Sequence, residues 1–488
     1  MEKHSVKQSA GALYLESARI LKRIEKKLGC AKGLIYGSKF GDKRKLYAII
    51  YEVLKYREVI NEIIVQSRLM AYEKIEWHLA QVLVYDLCFG RGIRCGGKLK
   101  FIIIRQRDRL RSALDRIMSC RQAVRKEDLA SSSSIMASGI PRYVRVNTLK
   151  MTKVKAIERF IANGFQYIPS DLVYNAGTVD ITKLREKIFT SDIHIENLLV
   201  LPPKSDLHDN EMYLNGEVVL QDKASCIPAF TLNPPPQSCI IDACAAPGNK
   251  TSHLASIIGN VGKIYAFDIS PNRIKTMREL LDKAGVTCVD LKRRNFLNVN
   301  VMEYEDVEYI LLDPSCSGSG IVDRGDINAE SKKLCNANKN RLQSLADFQL
   351  KALKQALSFP SVKKVVYSTC SMNVEENEEV VEAALKVFGN KYKLIPVLED
   401  WPYRGMSGYA HWKFMFRSSP KTSTTGFFVA LFSRITDQQT KLNTFFKRKA
   451  SFHRSLLENY DSNTKRKRKK IKRFLRFKRK NISSDKEA

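Results

Sequence analysis

The sequence predicts an α/β protein with a doubly wound, mainly parallel sheet, together with an N-terminal helical domain and a small α+β module. Two patterns support this fold class. Beyond residue 216, short apolar runs alternate with helical patterns, which is typical of a parallel sheet. Before residue 130, apolar residues recur at helical spacing instead. The chain of 488 residues is 44% hydrophobic and long enough to form several domains with apolar cores.

Residues 1–130 are predicted to form a basic helical domain. Apolar residues at helical spacing occupy the segments 46–54 and 79–87, and Lys and Arg occupy the other faces. Four consecutive serines at 131–134 are typical of a linker.

A small α+β module is predicted for residues 131–216. It begins with a β-branched run at 143–146, continues with a helical pattern at 154–162 and contains a further apolar run at 198–201.

Residues 217–436 contain the alternating pattern, so they are predicted to form the domain with the parallel sheet. Its strands are predicted at 239–243, 263–267, 309–312, 362–367 and 427–432. The remaining residues, 437–488, form a basic tail, with 12 Lys or Arg among the 16 residues of 465–480. A block of like charges cannot bury itself, so the tail is predicted to stay disordered until it meets an anion.

The charge of the chain predicts a polyanionic partner. The formal net charge is +32 and the isoelectric point is about 9.7, which favours RNA or DNA. The sequence has no apolar run long enough for a membrane span and no secretory signal, so we expect no membrane association and an intracellular protein. Eleven thinly spread cysteines indicate reduced thiols, and the absence of zinc-type spacing argues against a metal site.

Two of these cysteines follow predicted strands. Cys316 comes after the run 309–312, and Cys370 comes after the run 362–367. The carboxyl ends of parallel strands meet at one edge of a sheet, so we expect the two thiols to lie together and serve one reaction. Either cysteine alone would more often be a buried inert thiol, but the shared position favours a reactive pair.

The segment 242–251 is predicted to bind a ligand. Its small residues allow close approach of the backbone, and a helix starting near Lys250 would leave free N–H groups. Asp268 ends the next strand, where an acidic side chain can bind ribose hydroxyls. The segment matches neither a nicotinamide fingerprint nor a P-loop. The alternative is that Asp242 and Asp268 only cap strand ends.

The chain resembles the Sun-type (NSUN) RNA cytosine-5 methyltransferases of the RsmB/RsmF-like family across residues 141–434. The segments that carry the resemblance are 141–148, 220–225, 242–251, 313–320 and 367–377. The segments 201–209 and 220–226 are similar to the fifth NSUN subfamily, which modifies large-subunit rRNA. The resemblance implies a class I methyltransferase fold, which is Rossmann-like, with S-adenosyl-L-methionine as cofactor and RNA as substrate.

The resemblance also implies roles for catalytic residues. Cys370 matches the nucleophile that adds to C6 of cytosine, and Cys316 matches the residue that aids release. Asp313 is placed to assist at N3 if burial against the base raises its pKa. Lys223 lies in a segment that lines the family's active site, where it would position a phosphate or a base oxygen. DNA cytosine-5 enzymes attack from a Pro-Cys loop, so Cys316 remains a rival nucleophile.

For the cofactor, the resemblance implies contacts along the loop and at the ends of the following strands. These residues are Cys244, Ala245, Ala246, Pro247, Gly248, Asn249, Lys250, Asp268, Arg273, Asn295 and Asp313. Asn295 departs from the family, which usually has Asp there to accept from the adenine amino group. An amide oxygen still accepts, but without charge, so weaker cofactor binding is expected.

Arg142, Tyr143 and Arg145 alternate on a predicted strand of the small module and are candidates for phosphate contacts and base stacking. The target cytosine must be unpaired or flipped to reach Cys370. The basic tail is interpreted as a nuclear or nucleolar address that also grips RNA. Two alternatives remain open: a catalytically idle RNA-binding ribosome-assembly factor, to which Asn295 points, and a protein or small-molecule methyltransferase.

Overall fold

The computed structural model describes residues 10–26, 28, 31–130, 139–175, 177–203, 205–321 and 335–435. The predicted linker at 131–134 and the predicted basic tail lie outside these residues. None of the helices in this described part is long and apolar enough to cross a membrane.

The N-terminal domain is helical, as predicted. Its helices are α1 (Ala10–Glu25), α2 (Ala31–Tyr36), α3 (Lys43–Lys55), α4 (Arg57–Gln66), α5 (Leu69–Tyr72), α6 (Trp77–Cys88), α7 (Gly97–Arg105) and α8 (Arg107–Cys120). Asp42 caps α3 by accepting from the backbone N–H of Lys45 at 3.0 Å. Helix α6 is buried on almost every side and packs against α1, α3, α4, α7 and α8, so it forms the centre of this domain.

The small module contains a five-stranded sheet. Its strands are β1 (Arg142–Val146), β2 (Gln166–Tyr167), β5 (Ile188–Ser191), β6 (Leu198–Leu201) and β7 (Val218–Leu220), in the order β2-β5-β6-β1-β7. A separate pair is formed by β3 (Tyr174–Asn175) and β4 (Thr178–Val179), and the helices are α9 (Lys153–Ala162) and α10 (Glu211–Leu214). Because β7 pairs with β1, the sheet extends past residue 216, where the module was predicted to end.

The third region is built on a sheet of eight strands. They are β8 (Cys239–Asp242), β9 (Lys263–Asp268), β10 (Val289–Arg293), β11 (Tyr309–Leu312), β12 (Lys364–Thr369), β13 (Tyr392–Ile395), β14 (Phe416–Ser418) and β15 (Phe427–Arg434). The order is β10-β9-β8-β11-β12-β15-β13, with β14 paired to β15. The pairs from β10 to β12 are parallel, which confirms the predicted doubly wound sheet.

The helices of this region are α11 (Lys223–Leu232), α12 (Asn249–Ile257), α13 (Pro271–Ala284), α14 (Cys335–Leu357) and α15 (Glu378–Phe388). The chain runs outward in both directions from the adjacent strands β8 and β11, so their carboxyl ends form the switch point of the sheet. Ligand sites of open α/β sheets lie at this point. The loops after β8, β9, β11 and β12 therefore define where a site is expected.

Candidate active site

The two cysteines predicted to act together are in contact. Strand β11 leads to Cys316 and its parallel neighbour β12 leads to Cys370, and the two Sγ atoms are 3.2 Å apart. Both side chains are partly buried. The expectation that adjacent strand ends bring these thiols together is met by this geometry.

The contact also affects the acidity of Cys316. The pKa of Cys316 is raised, first by its hydrogen bond to Cys370 and second by burial. Either thiol can donate in this contact. When Cys316 is the donor, its S–H stabilises the thiolate form of Cys370, which is the nucleophilic form.

A buried carboxylate holds the two cysteine loops together. Glu376 accepts from the backbone N–H of Ser317 at 2.8 Å, and its other oxygen accepts from the hydroxyls of Ser317 and Ser371. These serines directly follow Cys316 and Cys370. Burial alone would raise the pKa of Glu376, but the hydrogen bonds from Ser317, Ser371 and Gln349 outweigh it and lower the pKa. Glu376 is thus a charged positioning residue.

The role of Glu376 was not predicted from the sequence. The run 375–379 contains four glutamates, which indicated an acidic helix terminus next to Cys370 and gave no sign that Glu376 contacts both cysteine loops. The signal was its position six residues after a strand-end cysteine, within reach of both loops.

A third segment joins the cysteine loops through the backbone. Gly320 donates its N–H to the carbonyl of Cys370 at 2.9 Å, and Gly426 donates to the carbonyl of Gly320 at 2.9 Å. A Cβ atom on Gly320 would lie 2.1 Å from the carbonyl oxygen of Gly426. Only glycine allows this approach, so the flexible residues after Cys316 have a packing role.

Asp313 and Lys250 form an ion pair beside the thiols. The Nζ atom of Lys250 is 2.7 Å from one oxygen of Asp313, and the hydroxyl of Ser368 donates to the other oxygen at 2.7 Å. Burial lowers the pKa of Lys250, but the Asp313 carboxylate and, more weakly, the charge of Cys370 raise it overall. The loop at 242–251 therefore contributes a cation that pairs with Asp313 and lies close enough to Cys370 to feel its charge.

At the end of β8, a buried carboxylate oxygen has no hydrogen-bond donor among the described residues. One oxygen of Asp242 accepts from the hydroxyl of Thr251 at 2.6 Å, whereas the other is buried and has no partner. Burial raises the pKa of Asp242 to about 7. Gly248 has φ of 105°, a conformation that favours glycine, and opens α12 with free N–H groups. The loop therefore fits a ligand with an amino and a carboxylate group, such as the methionine part of S-adenosylmethionine.

Asp268 and Arg273 lie next to this loop. Arg273 pairs with Asp268 at 3.2 Å and donates a hydrogen bond to the carbonyl of Ala246. The other oxygen of Asp268 accepts from the backbone N–H of Ser270 at 2.9 Å. The two side chains lie where a ribose contact was predicted, and Arg273 connects the strand end to the loop.

Asn295 is exposed after β10, and its amide oxygen accepts from the backbone N–H of Leu297 at 3.0 Å. The amide oxygen that would accept from the adenine amino group therefore already caps a short helix. This supports the expectation of a weaker contact with adenine. No cluster of His, Cys, Asp or Glu within the described ranges is arranged to hold a metal ion.

The predicted role of Lys223 is wrong. The side chain of Lys223 is 2% exposed, and its ammonium pairs with Asp192 at 2.6 Å and contacts Nδ1 of His194 at 2.8 Å. Burial lowers its pKa, and the aspartate only partly opposes this shift. An ammonium enclosed in this way stabilises the contact between the module and the catalytic region and cannot position a phosphate.

The predicted RNA contacts of Tyr143 and Arg145 are also wrong. Tyr143 is 2% exposed and donates its hydroxyl to the carbonyl of Ser423 at 2.7 Å. Arg145 is 1% exposed and donates to Gln221 at 2.7 Å and to Ser252 at 2.8 Å. Both side chains hold the module to the catalytic region. Arg142 is exposed on the same strand, so its contact with RNA stays a prediction.

Family models match three consecutive parts of the chain. The RsmB/F 16S rRNA methyltransferase model covers residues 229–433. The ferredoxin-like and N-terminal domain models of NOL1/NOP2/Sun domain family member 5 cover residues 140–221 and 44–130.

Relatives and solved structures agree with these models. The chain is 44% identical to the mouse 28S rRNA (cytosine-C(5))-methyltransferase, over 86% of this chain and 91% of the relative. It is 36% identical to the 25S rRNA (cytosine-C(5))-methyltransferase rcm1 of Schizosaccharomyces pombe, over 86% and 90%. A methyltransferase homologue from Pyrococcus horikoshii, 24% identical, superposes with a TM-score of 0.50 over 77% of this chain and 98% of that chain, which shows the fold alone. The chain therefore belongs to the NOL1/NOP2/Sun domain family member 5 proteins, within the RsmB/F-type methyltransferases.

Proposed function

We propose that this chain methylates C5 of an unpaired cytosine in large-subunit rRNA, with Cys370 as the nucleophile and Cys316 as the residue that aids release. The observation that carries the proposal is the 3.2 Å contact of the two thiols beside a loop that fits the cofactor. The names of the relatives, which are 28S and 25S rRNA cytosine-C5 methyltransferases, support the reaction and the substrate class.

The chemistry begins at Cys370. Its thiolate adds to C6 and forms a C–S bond, so an electron pair of the ring moves toward C5 and N3. Asp313, held by Lys250 and Ser368, lies beside the thiols and is the group proposed to assist at N3. When bound, S-adenosylmethionine supplies an electrophilic methyl group for C5.

Release requires that the C5 proton leaves and the C–S bond breaks. Cys316, whose Sγ is 3.2 Å from that of Cys370, is the base proposed for the C5 proton. Its thiol first loses its proton to solvent, and the resulting thiolate accepts the C5 proton. The electron pair of the C5–H bond restores the C5–C6 double bond, and Cys370 leaves as a thiolate.

The test is transfer of labelled methyl from S-adenosylmethionine to deproteinised rRNA from cells that lack this protein. Wild type should label one cytosine, Cys370→Ala should label none, and Cys316→Ala should accumulate as a covalent RNA-protein adduct. An adduct with Cys370→Ala instead would reverse the two roles. No label with any version, on free rRNA or on pre-ribosomal particles, would favour an idle assembly factor.

We also propose that the protein acts in the nucleus and concentrates in the nucleolus. The support is the sequence of residues 465–480, with its 12 Lys or Arg. A fluorescent fusion of the full chain should be nucleolar, and deletion of 465–480 should redistribute it. A nucleolar signal that survives the deletion would contradict this assignment.

A further inference from the structure

The helical domain exposes a group of aromatic and basic side chains that the active site does not use. Tyr72 on α5 and Phe101 on α7 are 49% and 64% exposed, and Ile104 is 41% exposed. We call these three residues together with Lys100, Arg105 and Arg109 the α5–α8 surface. Single exposed apolar residues are ordinary, but two large aromatic rings beside arginines are not explained by the packing of the domain.

Each aromatic ring on this surface is paired with a guanidinium group. The Cζ atom of Arg109 is 3.8 Å from the ring centroid of Tyr72, and that of Arg105 is 5.4 Å from the ring centroid of Phe101. A groove of about 520 Å³ lies beside the Phe101–Arg105 pair and is lined by Gly97, Lys100, Phe101, Ile104 and Arg105. Flat aromatic faces next to planar cations provide stacking positions for nucleobases.

One buried carboxylate holds the side chains of the α5–α8 surface in place. Glu73, next to Tyr72, accepts from Arg105 at 2.6 Å and from Gln106 at 2.8 Å. Arg109 in turn donates to Gln106 at 3.3 Å. The end of α5 is thereby tied to the junction of α7 and α8, so the surface is formed before any partner arrives.

The surrounding charge selects an anionic partner. Residues 91–125 contain 11 Lys or Arg and only 2 Asp or Glu. Lys100 and Arg109 are exposed at the surface itself. This excess of positive charge would attract a phosphate backbone and would weaken its hold as salt increases.

We propose that the α5–α8 surface binds a single-stranded segment of RNA, whose bases stack on Tyr72 and Phe101 and whose phosphates contact Lys100 and Arg109. Paired aromatic and guanidinium planes favour RNA over an acidic protein, which would use the charges but not the exposed rings. The surface lies on a different domain from Cys370. The inference therefore goes beyond methyl transfer, because it assigns the helical domain a second RNA-binding site.

The test uses the full chain and a 20-nucleotide RNA that contains 4-thiouridine, without S-adenosylmethionine. Photocrosslinked peptides should include those with Tyr72 and Phe101. The double variant Tyr72→Ala/Phe101→Ala should weaken binding by about tenfold or more, in line with the removal of two stacking positions. Lys100→Glu and Arg109→Glu should weaken binding and lower its salt dependence.

Matched controls are Tyr36→Ala, an exposed aromatic on α2, and Arg23→Glu, an exposed cation on α1, which should bind RNA like wild type. Circular dichroism and thermal melting establish that the variants are folded. Crosslinks confined to other parts of the chain, or unchanged affinity of the double variant, would overturn the proposal. So would binding of polyglutamate, but not RNA, at this surface. Failure here would leave methyl transfer at Cys370 unaffected.

Discussion

At the residue scale, the geometry of the two thiols depends on a buried carboxylate, that of Glu376. Glu376 bonds to the residue after each cysteine, so one carboxylate fixes both loops. A buried charge with this many partners is stable only while all of them are present. We therefore expect the reaction to be sensitive to the charge of Glu376.

Replacing Glu376 by Gln keeps the size of the side chain but removes its charge and replaces one acceptor by a donor. The hydroxyls of Ser317 and Ser371 then have no charged acceptor, and the two loops are expected to separate. Small misplacements of reacting groups cost about 100-fold in rate, so we expect kcat to fall by roughly 10- to 100-fold with little change in KM for RNA. Single-turnover methyl transfer measures this effect.

The matched control is Glu375→Gln, which changes the adjacent acid outside this network. Its kcat should stay near that of wild type. Equal decreases of kcat in the two variants would mean that negative charge near the helix terminus matters, and not the hydrogen bonds of Glu376 to both cysteine loops.

Asp242 gives the site a pH dependence. Its pKa is raised to about 7, so the carboxyl is protonated in acid and ionised in base. The amino group of the cofactor is expected to bind the ionised form, so affinity should rise with pH. From pH 6 to pH 8 the ionised fraction increases about tenfold, and the affinity should follow. Calorimetric titration with S-adenosylmethionine should show this increase in wild type and a flat profile in Asp242→Asn. A profile that slopes in Asp242→Asn as well would place the titrating group elsewhere.

The residues at strand ends were placed correctly from the sequence, whereas the burial of Arg145 on β1 and of Lys223 on α11 was not predicted. Cys316 and Cys370 were predicted to meet because parallel strands end at one edge of a sheet, a rule that does not depend on how other domains pack. Arg145 and Lys223 were misassigned because alternation along a strand, or membership of a motif, does not reveal which face another domain covers. Their burial follows from packing between two regions that are distant in sequence.

At the element scale, strand β1 supports α12, the helix that starts at the end of the loop 242–251. Arg145 on β1 donates to Ser252 on α12 and also reaches the carbonyl of Asn249 at 3.4 Å. Burial lowers the pKa of Arg145 to about 10, so the side chain remains charged at neutral pH. The small module is thus connected directly to the N-terminal turn of α12.

Arg145→Ala removes this connection and leaves Gln221 without its donor. We expect the free energy of unfolding to fall by about 2–4 kcal/mol, because hydrogen bonds are removed and a cavity is created. Binding of S-adenosylmethionine should weaken as well, because the first turn of α12 is no longer held. Urea denaturation and calorimetric titration measure the two effects.

Arg142→Ala is the control on the same strand, since Arg142 is exposed. It should leave stability and cofactor binding unchanged and reduce only the affinity for RNA. A decrease of stability as large as that of Arg145→Ala would show that position on β1, and not the buried hydrogen bonds, determines the effect.

Whether a strand could be predicted from the sequence depends on whether its residues are mostly apolar. Strand β11 is apolar and fully buried, and its predicted bounds match the structure. Strand β10, with the sequence Val-Asp-Leu-Lys-Arg, is partly exposed and was not predicted. It is a strand because β9 offers it a parallel partner, and such a tertiary cause leaves no clear local pattern.

At the scale of the whole molecule, positive charge is distributed over several regions and not only around the reaction centre. Residues 437–488 contain 18 Lys or Arg and 5 Asp or Glu, so they carry +13 of the formal charge of +32. Much of the remainder lies on the helical domain. We therefore expect the tail and the folded regions to share the affinity for RNA. The rate of methyl transfer is expected to depend on neither group of positive charges.

Deleting residues 437–488 tests this division. For each phosphate of single-stranded RNA that the tail neutralises, the deletion should reduce the slope of log affinity against log salt by about 0.7, so the slope should become shallower by several units. At saturating RNA, kcat should stay the same because Cys370, Cys316 and the cofactor loop precede the deletion. Filter binding at a series of salt concentrations, with methyl transfer in parallel, measures both quantities. A deletion that lowers kcat at saturating RNA would mean that the tail takes part in the reaction, whereas an unchanged salt slope would assign the electrostatic grip to the folded domains alone.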